Sequence, residues 1–92
     1  MYAVQPTRRY EKSLKRLIRS GRFSILDVDA VINVLRMGRK LDAQYRNHSL
    51  HGEYARCFEC HIKSDLLLIY ELNEAEQILT TVDIGSHSDL FG

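Results

Sequence analysis

The chain has 92 residues, 45% hydrophobic and 27% charged, which is ordinary globular usage and excludes general disorder. That length suits one domain, residues 1–92, around one core, with no room for a separate regulatory domain. The formal net charge of +1 points to no partner by itself, and no apolar run approaches the ~20 residues that span a bilayer, so no membrane association is expected.

Residues 1–4 alternate weakly, which predicts a short strand ended by Pro6. Thr7 is the expected N-cap of a first helix. Tyr10, Leu14, Leu17 and Ile18 recur at helical spacing. The opposite side of that helix carries Arg8, Arg9, Lys12, Lys15, Arg16 and Arg19, followed by Arg22, with Glu11 as the only acid. The remainder of the chain is mildly acidic. A concentrated basic face can follow a line of phosphates, although a solvated helix face has the same composition.

Gly21 is the expected stop of the first helix. Ser24 is placed to cap a second, with Asp27 three positions on as a variant of the capping box. Val28, Val31, Ile32 and Leu35 form the apolar stripe, and Gly38 closes the helix. Residues 41–52 read as a loop rich in Asn, His, Ser and Gly. The period then changes to that of strands over residues 54–62, 65–71 and 77–84, joined by tight turns at 63–64 and 73–75. The middle run is apolar on both faces, as in a central strand. Residues 85–92 read as a polar turn ending in Leu90 and Phe91. The predicted class is α+β: an N-terminal strand and a helical hairpin packed on a curved antiparallel sheet, in the order β-α-α-β-β-β.

Four histidines, His48, His51, His61 and His87, occupy the second half, with Asp65 just past a predicted hairpin turn. Imidazoles exchange protons near neutral pH. Metal-free RNA cleavage needs little more: a base for the ribose 2′-hydroxyl, an acid for the departing 5′-oxygen and a cation for the phosphate. A zinc centre from His48, His61, His87 and Asp65 is the rival, but their spacing lacks the usual close ligand pairs.

The run Cys57-Phe58-Glu59-Cys60-His61 matches the patterns of redox, zinc and haem-attachment motifs. A strand places residues three apart on opposite faces, so the two thiols are expected to be separate and buried. The first six residues lack the basic-then-apolar order of a secretory signal, so the expected compartment is the cytoplasm, with both thiols reduced. Tyr54, Tyr70 and Phe91 can stack on bases. Tyr70 is assigned to the core and Phe91 to a functional contact.

Three stretches together resemble the YafQ branch of the RelE-type toxins. They are Tyr45-Arg46-Asn47-His48-Ser49-Leu50-His51-Gly52, then Glu59-Cys60-His61-Ile62-Lys63-Ser64-Asp65-Leu66-Leu67-Leu68-Ile69-Tyr70, then Ile84-Gly85-Ser86-His87-Ser88-Asp89-Leu90-Phe91-Gly92. The resemblance implies a type II toxin that cuts mRNA in the ribosomal A site with no cofactor. It implies His48, His61, Asp65 and His87 as catalytic residues, with His87 first choice for the acid or base and Phe91 contributing. It gives the first helix, through Arg8, Arg9, Lys12, Lys15 and Arg16, the task of holding ribosomal RNA. The implied partners are the ribosome, mRNA and a small antitoxin of the DinJ/RelB kind, with DNA bound only through that antitoxin.

Three positions depart from the resemblance. Phe58 and Asp83 stand where members often have arginine, and Leu66 stands where many have tryptophan. Arg56, read as sharing the strand parity of Phe58, is the expected replacement cation. The alternative to a toxin is therefore a catalytically weakened fold that only binds the antitoxin.

Overall fold

The structure, a computed structural model, describes residues 1–92. The elements are β1 (Ala3–Pro6), α1 (Arg8–Arg19), α2 (Ile25–Arg36), β2 (His48–Ser49), β3 (Phe58–Lys63), β4 (Leu66–Asn73), β5 (Ile78–Gly85) and α3 (His87–Phe91), with 3-10 turns at Ala43–Tyr45 and Gly52–Tyr54. The sheet order is β1-β5-β4-β3-β2. The strands β2 to β5 pair antiparallel, while β1 pairs parallel to β5, so the sheet is mixed. A parallel pair needs a long crossover, and the helical hairpin opens the connection that supplies it.

Local chemistry starts both helices where expected. The Thr7 hydroxyl accepts the Tyr10 N–H at 3.0 Å, and the Ser24 hydroxyl accepts that of Leu26 at 3.1 Å. Asp27 does not close a capping box at α2. Its carboxylate instead meets Lys63 of β3 at 3.1 Å. Gly38 ends α2 with φ +75°, a conformation other residues adopt only under strain.

The hairpin lies on one sheet face. Tyr10, Val28, Val31 and Leu35 pack there on Cys60, Leu66, Leu68, Tyr70, Leu79 and Ile84. On the other face a smaller cluster joins Cys57, Leu67, Ile69 and Leu90. Residues 66–70 are all within 1% of complete burial. Alternation sends them to both faces, which is why β4 reads as one unbroken apolar run. Cys57, just before β3, and Cys60 within it fall on opposite faces.

A bulge fixes how α1 meets the sheet. Tyr70 pairs with Thr81 and Ile69 with Asp83, so Val82 is an extra residue in β5. The freed Val82 carbonyl accepts the Thr7 hydroxyl at 2.7 Å, and the Thr81 carbonyl accepts the Thr7 N–H at 3.0 Å. Strand β1 ends opposite Thr81. From there α1 takes over the edge of β5.

Several local readings change. Pro6 belongs to β1 rather than ending it, because an edge strand tolerates a missing donor. Strand β3 begins at Phe58 rather than at 54, since Gly52–Tyr54 forms a 3-10 turn first. The loop at 41–52 contains β2. Within the stretch read as a polar turn, His87–Phe91 form α3, through a capping box in which Ser86 and Asp89 each accept the other's backbone N–H.

Candidate active site

The sheet face away from the hairpin is open and has an apolar floor of Cys57, Leu67, Ile69 and Leu90. Pairing places His48 opposite Glu59, Glu59 opposite Ile69, and His61 opposite Leu67. Glu59 and His61, two apart on β3, therefore project from this face. Glu59 is only 5% exposed. Its Oε1 lies 3.2 Å from His61 Nε2 and its Oε2 lies 3.9 Å from His48 Nε2. A buried carboxylate thus sits between two imidazoles.

The ring of His48 is held from behind. Its Nδ1–H donates to the Arg46 carbonyl at 2.9 Å, which turns Nε2 toward Glu59. Arg46 adopts φ +46°, a left-handed conformation that a non-glycine residue enters at a cost. The same loop is tied to the core by the Tyr70 hydroxyl, which donates to Asn47 Oδ1 at 2.9 Å. Burial pushes the Tyr70 phenol up to about 12, with the nearby Cys60 adding to it and the Asn47 bond opposing it.

His87 opens α3. His61, Leu67 and Gly85 form one row across β3, β4 and β5. The chain leaves that row at Gly85, and Leu90 folds back onto the Leu67–Ile69 floor. His87 therefore flanks the same open face as the Glu59 trio. A side chain at Gly85 would press its Cβ to 2.9 Å from the Cβ of Asp89, so only glycine permits this approach. Hydrogen bonds from Ser86 hold the Asp89 carboxyl below its ordinary range, and Arg16 and Arg22 lower it further. His87 packs on Phe91 with ring centroids 5.1 Å apart, and Phe91 meets Tyr54 edge-on at 6.0 Å.

Asp65 acts on the backbone: its Oδ1 accepts the His87 N–H at 3.1 Å, fixing the start of α3. Its carboxylate makes no hydrogen bond to an imidazole. His51 is exposed in the loop. Arg56 lies exposed in the turn before β3, so strand parity does not govern its direction. Phe58 stacks on Tyr70 at 5.6 Å, on the hairpin side, and does not face the histidines. Asp83 is buried and committed to α1: Ser13 Oγ donates to Oδ1 at 2.7 Å, and Arg9 Nε meets Oδ2 at 3.0 Å. Arg8, Lys12, Lys15 and Arg16 are exposed along α1.

Glu59 is the residue that sequence reasoning missed. Its signal was present: an acid in a strand, two before a histidine, hence on the same face. The zinc set of His48, His61, His87 and Asp65 does not assemble, and no three His, Cys, Asp or Glu side chains are placed to hold a metal ion. Burial, with Glu59 next in effect, pushes the Cys60 thiol up to about 12, and burial with Glu71 raises Cys57, so neither serves as a thiolate.

A family model, that of YafQ, bacterial toxin of a type II toxin-antitoxin system, matches residues 2–92. No curated protein sequence matches with significance. Among solved structures, a metal-bound toxin from Helicobacter pylori is 35% identical, with a TM-score of 0.92 over 99% of this chain and 100% of that one. YafQ in the E. coli DinJ-YafQ toxin-antitoxin complex is 25% identical, with a TM-score of 0.85 over 99% and 98% of the two chains. YafQ from E. coli, at 21% identity, has a TM-score of 0.84 with both chains fully covered, a likeness of fold.

Proposed function

The chain belongs to the YafQ family of type II toxins, and from that premise we propose that it is an endoribonuclease that cuts mRNA in the ribosomal A site. The observation that carries the reading is Glu59, buried between His48 and His61 on the face that His87 and Phe91 border. In the proposed step the 2′-oxygen attacks the adjacent phosphorus and its proton passes to the trio. The phosphorus–5′-oxygen bond breaks, and His87 delivers a proton to the departing oxygen. The products are a 2′,3′-cyclic phosphate and a free 5′-hydroxyl. No metal is required. Asp65 holds His87 in place through its backbone. Phe91 and Tyr54 offer an aromatic surface for a base.

Position 58 brings no cation to this face, whereas Asp83, opposite Ile69, holds the Arg9 guanidinium at 3.0 Å. Positive charge comes from the exposed flank of α1, Arg8, Lys12, Lys15 and Arg16. That flank is suited to ribosomal RNA phosphates. The partner proposed by analogy with the DinJ-YafQ complex is a small antitoxin of the DinJ/RelB kind, through which alone the pair reaches DNA. No helix is long and apolar enough to cross a membrane, and the proposed compartment is the cytoplasm, where ribosomes are. Asp83 favours one second reading, a fold that retains antitoxin binding with little catalysis.

The test uses purified protein, ribosomes and a translated message. Wild type is expected to cut. His87→Ala and Glu59→Gln are each expected to slow cutting by roughly 10²–10⁴, the usual contribution of a positioned acid or base. Equal rates for wild type and both variants would overturn the assignment of these groups. No cutting by folded wild type would favour the binding-only reading.

A further inference from the structure

Beyond the catalytic face, the molecule has a polar recess at the free edge of β3. It is lined by Gln44, Tyr45, Arg46, His61, Lys63 and Ser64 and has a volume of about 270 Å³. It arises because β2 covers only Phe58 and Glu59 of β3. Beyond that point the 3-10 turn at Ala43–Tyr45 stands beside β3 instead of a strand. The main-chain groups of residues 60–63 that point outward on this edge have no main-chain partner there. An edge of this kind offers donors and acceptors to whatever enters.

We infer that this recess receives a single nucleobase of the message, next to the scissile phosphate, and so sets the base preference of cleavage. The inference deepens the ribonuclease reading and rests on it. Four observations support it. His61 belongs both to the recess and to the Glu59 trio, so a nucleotide whose phosphate meets the trio has its base within reach. Arg46 joins the two sites: its carbonyl holds the His48 ring while its own residue lines the recess. Its left-handed backbone is strain of the kind found at ligand-contact sites. Finally, size and chemistry agree with one base. The volume falls below the roughly 300–1,000 Å³ of sites for drug-sized ligands, which suits one ring system rather than a whole substrate. The lining supplies an amide, a phenol, a hydroxyl and the Arg46 guanidinium, with Lys63 paired to Asp27, and such groups read the edges of unstacked RNA bases.

The experiment has two arms. In the first, cut sites made by the wild type, Gln44→Ala and Arg46→Gln are mapped across many messages, and the readout is base composition around the cut rather than rate. Arg46→Gln removes the charge while leaving the backbone strain unchanged. The expected result is one position with a strong base bias in the wild type that falls at least threefold in each variant. An unchanged bias in both overturns the inference. In the second, 15N-labelled His87→Ala is titrated with short RNAs carrying a 2′-deoxy block at the cut. Amides of residues 44–46 and 61–64 are expected to shift with the base placed there, and shifts confined to α1 overturn the inference. If wild type cuts nothing while these amides still respond to the base, the ribonuclease reading fails and the recess stands.

Discussion

Asp83 occupies the place where a cation was expected, and its contacts predict a structural role that can be weighed. Replacing it with alanine removes three interactions: Ser13 Oγ at 2.7 Å, the Ile84 N–H at 2.8 Å and Arg9 Nε at 3.0 Å. Arg9 is 60% exposed, so its share is small, at most about 1 kcal/mol. The Ser13 hydroxyl and the Ile84 amide are buried and would be left without partners. Each such group costs about 1–3 kcal/mol, so the expected loss is about 3 kcal/mol or more. For a domain of this size that lowers Tm by roughly 12 °C or more, at ~4–8 °C per kcal/mol. Asp83→Asn keeps one acceptor oxygen for Ser13 and Ile84 and should lose only about 1 kcal/mol. A double-mutant cycle between Ser13→Ala and Asp83→Ala should show coupling of ~1 kcal/mol or more. Urea and thermal denaturation of the five proteins, wild type, the three single variants and the double variant, measure all of these. If Asp83→Ala lies within ~0.5 kcal/mol of wild type, the range for a surface change without consequence, the anchoring role is wrong.

Three further outcomes are expected. Thr81 is fully buried and its hydroxyl has no partner; Thr81→Val should raise stability by about 1 kcal/mol, and a drop in urea midpoint would show that the hydroxyl is satisfied in solution. The depressed Asp89 carboxyl contributes stability to α3 that is present above the unfolded value of ~3.9 and is lost as pH falls through the lower folded value. An NMR titration should therefore show the amides of residues 86–92 changing below pH ~4, and a midpoint at or above the ordinary carboxylate value would refute the cap. Elemental analysis of purified protein should find no stoichiometric zinc; one zinc per chain would restore the zinc-enzyme reading.

What could be read from the sequence were the features decided locally. The N-caps at Thr7 and Ser24, the glycine at the end of α2 and the double-sided burial of β4 depend on near neighbours and on periodicity. The features that escaped depend on distant pairing. The parallel seat of β1 against β5 requires knowing where the chain returns. Asp27 was read as a cap because Ser24 is three residues away, but its partner is Lys63, on a strand. The Ser86–Asp89 box was in plain view, yet a five-residue helix leaves almost no periodic trace. The candidate site divides the same way. His48, His61 and His87 came from the resemblance, whereas Glu59 becomes conspicuous only when β2 lays His48 across it. Asp65 and the cation position now held by Phe58 were likewise implied by the resemblance. Their contacts direct Asp65 to a backbone amide and Phe58 to the opposite face.

The central claim is that the Glu59 trio and His87 together cut translated messages, and one experiment addresses it most directly. Wild type, His87→Ala and Glu59→Gln are induced in bacteria lacking the antitoxin, with growth followed and mRNA 5′ ends mapped. Growth arrest with new ends inside translated frames, abolished in both variants at equal protein levels, is the predicted result. Arrest with the same ends in either variant, or soluble wild type with neither arrest nor new ends, would contradict it.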